Sequence, residues 1–200
     1  MGNTYSDTFL QKNGVPQGSI LSPLLFTLKL NNITKDIPHH IKNALFVDDF
    51  TIYASDPNLQ SLEAKLQSAV NIISRWLNHN GFTLSKNKTV LIHFKNKDYH
   101  LLKPELQING TPIPLVDKHK FLGITFDERL TYTHHIIDLK SRSTKSINLL
   151  KTLSSTNWGA NRNTLLMIYR ALIRSKMDYG NYIYQVARNH YLKTTLCHRK

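Results

Sequence analysis

The residues with the clearest chemical potential are two adjacent carboxylates, Asp48 and Asp49, in the stretch ALFVDDFTIY at 44–53. Apolar, strand-forming residues flank them on both sides, which predicts two short strands joined by a tight turn at the acid pair. Asn-Gly or Asp-Gly is the favoured turn at such a place, because the central residues take positive φ. Two like charges repel at such close range unless a cation neutralises them. A hard divalent ion meets that need: Mg²⁺ binds through one or two carboxylates, and phosphate and water oxygens complete its shell. Side chains at a hairpin tip diverge, so one acid can face a cleft while its neighbour braces the site. Taken alone, an Asp-Asp dipeptide reads as a solvated turn. Its surroundings have to decide.

Those surroundings include a second unusual stretch, GVPQGSILSPLLF at 14–26. A Pro and a Gln set between glycines build a turn of fixed shape, which lets backbone approach a ligand closely. Lys and Arg number 26 against 13 Asp and Glu, a net charge of +13. That excess favours a polyanionic partner through counterion release, with plain solubility as the alternative. The histidines do not suggest a metal site. His39-His40 and His134-His135 are adjacent pairs rather than i, i+4 pairs, and Cys197-His198 lacks a matching second half. The single cysteine precludes an internal disulfide and suits a reducing compartment. With no bilayer-length apolar run and no secretory signal, an intracellular location, nucleus or cytoplasm, is expected, without a membrane partner.

The elements that must position these residues are partly legible. A helix is expected over 22–30, capped by Ser22, opened by Pro23 and buried because it is apolar on most faces. After the acidic hairpin, Asp56 and Pro57 should start a longer helix with Leu62, Leu66, Ala69, Ile73, Trp76 and Leu77 on one stripe. Gly81 can end it in the left-handed conformation. Short strands are expected at 82–84 and 90–94, then a turn at Asn109-Gly110 whose second strand is confined to an edge by Pro112 and Pro114. One more strand is expected over 120–126. From about 133 the pattern turns helical, with one stripe through Ile136, Ile137, Leu139, Ile147, Leu150 and Leu153 and another through Leu165, Leu166, Ile168, Tyr169, Leu172 and Ile173, capped by Asn163. Trp76 and Trp158 are both expected to cover core. Lys140, Arg142, Lys145 and Lys151 form either a solvated face or a surface for a nucleic-acid backbone. The class is α+β, with a boundary near Asp127 between 1–127 and a helical 128–200.

GVPQGSILSPLLF followed by FVDD resembles the palm of a reverse transcriptase of the non-LTR, LINE-type and jockey-like, retrotransposon group. Three further blocks arrive in that family's order: GFTLSKNKTVLIHF, KFLGITFD and RNTLLMIYRALIRSKMDYGNYIY. The resemblance runs from about Gly14 to Tyr184 and implies a partial polymerase palm, an antiparallel sheet with packed helices, over 1–127, followed by a helical thumb-like region over 128–200. It implies Asp48 as ligand of both catalytic Mg²⁺ ions, with Mn²⁺ as a substitute, and Asp49 as its less essential neighbour. Phe46 would lie beside the primer end, at the nucleotide, and Gln17 and Gly18 would border the nucleotide's sugar and the template base. Lys88 would be the acid that protonates leaving pyrophosphate, Lys86 being its near alternative. Phe121, Leu122 and Gly123 would form the primer grip. Val47 departs from the family's commoner alanine. The implied partners are an RNA template, a DNA primer and deoxynucleoside triphosphates.

Two-metal phosphoryl transfer holds its ions about 3.5–4 Å apart and needs carboxylates from more than one strand. The family's further Asp lies well upstream of the Pro-Gln-Gly turn, and Asp7 sits in no such motif. The sequence therefore reads as a piece of a retrotransposon polymerase that does not polymerise DNA by itself, since lost alignment costs orders of magnitude in rate. The reading from a different class is a non-catalytic nucleic-acid-binding remnant of a mobile element. A third is an inert relic with an exposed sheet edge.

Overall fold

The computed structural model describes residues 14–94, 103–185 and 187. Asp7 and Cys197 lie outside the described residues, as does the end of the expected helical region. The chain forms two compact units, one within Met1–Ser85 and Leu106–Pro112, the other within Lys86–Glu105 and Ile113–Lys200. Asp127, the expected boundary, lies inside the second unit. Helices and small antiparallel sheets mix in the chain, and the sheets are three separate two-stranded hairpins among the described residues.

The first unit opens with helix α1, Ser22–Leu30, followed by a 3₁₀ turn, Asn31–Thr34. Ser22 is not its cap: the cap position falls on Leu21, and the Ser22 hydroxyl instead donates to the Pro16 carbonyl at 2.5 Å. That bond folds the Pro-Gln turn against the helix start. The expected burial of α1 is not met. Only Ser22 and Leu30 are buried, whereas Leu24, Leu25 and Leu28 leave about half or more of their surface open, 57%, 51% and 60%. An all-round apolar helix is buried only where partners surround it, and the described residues supply them on part of its surface.

Strands β1, Lys42–Phe46, and β2, Asp49–Tyr53, pair antiparallel and lean on helix α2, Leu59–His79. The apolar stripe of α2 behaves as its spacing predicts: Ala69 and Ile73 close a core with Ile33, Ile37 and Ile41, and Leu66, Trp76 and Leu77 pack at its margin. Its cap is Asn58 rather than Asp56. The Asn58 side chain accepts from the Gln60 and Ser61 N–H groups. Asp56 sits one layer out, where Lys65 Nζ, the Asn58 N–H and the Ser61 hydroxyl hold its carboxyl down at about 2. At the far end Gly81, at φ +72°, lets the Phe82 N–H reach the Leu77 carbonyl at 2.9 Å, a Schellman closure. Phe82 then stacks on Trp76 and meets Phe26 edge-on, with ring centroids 5.7 and 6.2 Å apart. The strand expected at 82–84 does not form, because that segment is spent on aromatic packing. Strands β3, Gln107–Ile108, and β4, Thr111–Pro112, turn at Asn109-Gly110 as expected. The Gln67 amide ties them to α2, giving and taking one 2.8 Å hydrogen bond with the Gln107 backbone.

In the second unit the strand expected at 90–94 reduces to one parallel bridge, Leu91 to Leu115. The single strand expected over 120–126 is a hairpin, β5, Lys118–Phe121, against β6, Ile124–Asp127. Leu122 and Gly123, at φ +46° and +81°, form its two-residue turn, the mirror-image turn that matches strand twist. Helix α3, Thr133–Leu153, buries Ile136 and Leu139, whereas Ile137, expected on the same stripe, is 53% exposed, since it lies one step of about 100° round the helix from Ile136. Helix α4, Arg162–Tyr169, is capped by Asn161, whose side chain accepts from the Thr164 N–H at 2.9 Å, not by Asn163. A stretch wound as π-helix, Arg170–Arg174, links it to the short helix α5, Ser175–Asp178, and a 3₁₀ turn, Asn181–Gln185. Trp158 is 66% exposed. At that exposure it does not cover core as expected; it lies in the turn closed by the Gly159 N–H on the Ser155 carbonyl at 2.9 Å. Among the described residues no helix is long and apolar enough to cross a membrane.

Candidate functional site

The acidic hairpin turns in two residues, since Phe46 pairs directly with Asp49. The turn residues are therefore Val47 and Asp48, not the acid pair. Val47 stands at φ +55°, where a β-branched side chain is a genuine outlier. Asp49 opens β2 and shares a sheet face with Phe46, because directly opposed residues point the same way. Both acids are exposed, as is Phe46 at 61%. The hairpin thus presents two divergent carboxylates at its tip, one from the turn and one from the strand, and among the described residues no cleft wall buries either of them. Both are hard oxygen donors of the type Mg²⁺ takes. Among the described residues no third His, Cys, Asp or Glu joins them as a metal-holding group, so the pair fits such an ion as a partial donor set.

Gln17 and Gly18 are the central residues of a turn closed by the Ser19 N–H on the Pro16 carbonyl at 3.3 Å. Gly18 takes φ +92°, the glycine position of a type II turn. Both are exposed and share the first unit with Phe46, Asp48 and Asp49. Lys88 belongs to the second unit, exposed in the turn at 86–88 beside Lys86. Phe121, Leu122 and Gly123 also lie there, at the tip of the β5–β6 hairpin.

Two features of the second unit escaped sequence reasoning. Asp127 is buried, and its carboxylate accepts from the Tyr132 N–H at 2.7 Å, the Thr131 N–H at 3.0 Å and the Thr131 hydroxyl at 2.9 Å. Burial pushes its pKa up, but the bonds from Thr131 and Tyr132 prevail and hold it below the usual carboxylate range. This carboxylate organises the entry to α3, which has no side-chain cap and begins after Tyr132 at φ +55°. His135 is 2% exposed beneath the same hairpin, where burial, and then the Arg142 charge, lower its pKa from the ordinary histidine value. The second feature is Tyr179, whose hydroxyl donates to the Leu122 carbonyl. Contacts this far apart in sequence leave no local pattern to read.

The family model for reverse transcriptase (RNA-dependent DNA polymerase) matches residues 1–126. The chain belongs to the reverse transcriptase family. Every predicted site residue falls within the matched span. Among relatives from Drosophila melanogaster, the chain is 26% identical over 185 residues to the probable RNA-directed DNA polymerase from transposon X-element, covering 90% of this chain and 20% of the relative. It is 23% identical over 189 residues to the RNA-directed DNA polymerase from mobile element jockey, with the same coverage of both chains, 90% and 20%. The putative 115 kDa protein in type-1 retrotransposable element R1DM is 25% identical over 167 residues, 84% of this chain and 16% of that protein. The chain thus spans about a fifth or less of the length of these relatives. No solved structure matches it. The likeness to non-LTR retrotransposon reverse transcriptases drawn from the motifs is borne out by these matches.

Proposed function

We propose that this reverse transcriptase segment carries the acidic hairpin of an RNA-directed DNA polymerase, with Asp48 and Asp49 as ligands of Mg²⁺ or Mn²⁺. The observation that carries the reading is the two-residue turn that thrusts both carboxylates from the hairpin tip, inside the span matched by the family. On this reading β1, β2 and their packed helices belong to a polymerase palm, and α3 with the helices after it to a thumb-like region. The metal, when bound, supplies charge neutralisation at the attacking 3′-oxygen and the departing pyrophosphate.

The residues of this chain do the rest. Gln17 and Gly18 present a turn whose glycine lets backbone come close to the nucleotide's sugar and the template base. Phe46, on the face it shares with Asp49, offers an exposed ring beside the primer end. Lys88 delivers a proton to leaving pyrophosphate, as a cation near a developing negative charge would. Phe121, Leu122 and Gly123 grip the primer. The substrates are an RNA template, a DNA primer and deoxynucleoside triphosphates, and the work is done inside the cell, in nucleus or cytoplasm.

A second reading, a non-catalytic nucleic-acid-binding remnant, is favoured by one observation: no third metal-holding residue joins the acid pair among the described residues. Iron-directed backbone cleavage tests the first. Fe²⁺ with ascorbate and peroxide should cut the chain around 46–50, and Asp48→Asn should abolish those cuts; wild-type cuts elsewhere, or none, would refute the metal assignment. Duplex binding then separates the two readings: binding of a primer–template with deoxynucleoside triphosphate that Mg²⁺ strengthens and Asp48→Asn weakens supports the polymerase site, and binding indifferent to both Mg²⁺ and Asp48→Asn supports the remnant.

A further inference from the structure

The tip of the β5–β6 hairpin is held from outside by a segment that the reading above leaves without a role. Tyr179 follows α5, and its hydroxyl donates to the carbonyl of Leu122, 57 residues earlier in the chain. The same ring covers Gly123: a methyl group on that glycine would lie 3.2 Å from Tyr179 Cε1. The next residue, Gly180, takes φ +77° and brings the backbone against Ile124, whose Cδ1 would lie 3.6 Å from a Cβ at that position. Tyr184 in turn donates through its hydroxyl to the Tyr179 carbonyl at 3.3 Å. The tyrosine is 55% exposed, so it acts as a strut at the surface rather than as core.

A two-residue turn with a leucine at φ +46° is not self-sufficient, because a side chain in the left-handed region is disfavoured unless its surroundings hold it. The Tyr179 hydroxyl takes up the carbonyl of that same strained residue, and its ring limits how far Gly123 can swing. We infer that Tyr179 is a positioning residue, which fixes the Leu122–Gly123 turn in the orientation that receives a primer terminus. The inference rests on the primer-grip reading of Phe121, Leu122 and Gly123. Tyr179 itself touches no substrate; it acts through the turn.

The test is photocrosslinking of the full chain to an RNA template–DNA primer duplex that carries 4-thiothymidine at the primer 3′ end. In the wild type, crosslinks should map to 121–123. Tyr179→Phe keeps the ring and loses the hydroxyl bond; the usual net worth of one hydrogen bond corresponds to about a fivefold fall in crosslink yield at the turn. Total duplex affinity should stay near that of the wild type while the thermal midpoint falls by no more than the few degrees that one hydrogen bond is worth, a split that a purely structural role would not give. Tyr184→Phe removes a bond in the same segment that does not reach the hairpin, and its crosslinks should match the wild type. Unchanged yield in Tyr179→Phe, an equal fall in Tyr184→Phe, or a fall that only parallels lost duplex binding would each overturn the role of Tyr179. Wild-type crosslinks that miss 118–127 altogether would instead overturn the primer-grip reading, and the positioning role with it.

Discussion

Val47 occupies a backbone conformation that its β-branched side chain resists, and Asp48 follows it directly. Left-handed backbone costs an L-residue on the order of 1–2 kcal/mol, and glycine escapes that cost while losing about 0.5–1 kcal/mol of chain entropy. Val47 is 56% exposed, so little packing is lost on its removal. Val47→Gly should therefore raise stability by about 1 kcal/mol, seen as a higher thermal midpoint. A lower midpoint would mean that the turn holds no strain. The sequence had posed the turn question at the wrong pair, since nothing local distinguishes Val47-Asp48 from Asp48-Asp49 until the register of β1 on β2 is known. Ser22 and Asp56 were misread as caps for a related reason. Each is a suitable side chain near a helix start, but each spends its oxygen one layer further out.

At the scale of elements, the entry to α3 depends on a carboxylate rather than on a cap. Asp127 accepts three hydrogen bonds from Thr131 and Tyr132, and hydrogen bonds to a charged group are each worth about 1.5–3 kcal/mol. Asp127→Ala should destabilise the second unit by about 3 kcal/mol, measured by urea unfolding, and Asp127→Asn by less. The same group gives a pH dependence with a definite sign. Its folded pKa lies below the unfolded value, so the unfolded chain binds the extra proton on acidification. The stabilisation is complete above the ordinary aspartate range near pH 4 and fades as pH falls through the depressed folded pKa. Stability of Asp127→Asn should lack that part of the acid loss. Helix α2 was legible because its stripe repeats over many turns. The β5–β6 hairpin was not: Leu122-Gly123 carries only one of the residues that usually mark such a turn, and its four apolar or β-branched neighbours, Phe121, Ile124, Thr125 and Phe126, read with it as an unbroken strand.

For the molecule as a whole, the charge of +13 bears on the nucleic-acid partner. On α3, Arg142 is already engaged by Asp138 at 2.9 Å, while Lys145 and Lys151 are exposed. If these two lysines each neutralise a phosphate, replacing both with Gln lowers the slope of log affinity against log salt by about 2. An unchanged slope would assign them to a solvated face. The order of the motif blocks carried the family; the placing of each block within its own unit came only from the fold. Trp158 and α1 show the limit most plainly, because apolar character says that a residue can be buried and not that a partner is present.

The π-wound stretch Arg170–Arg174 sets the phase of everything after it. The Ser175 N–H donates to the Arg170 carbonyl, five residues back rather than four, so the helix carries the equivalent of one inserted residue. Each residue of an α-helix advances the azimuth by about 100°. Were the stretch to rewind as ordinary α-helix with every residue kept, the extra one would turn the aromatic clasp downstream by little more than a quarter of a circle, carrying its hydroxyl off the β-turn it steadies.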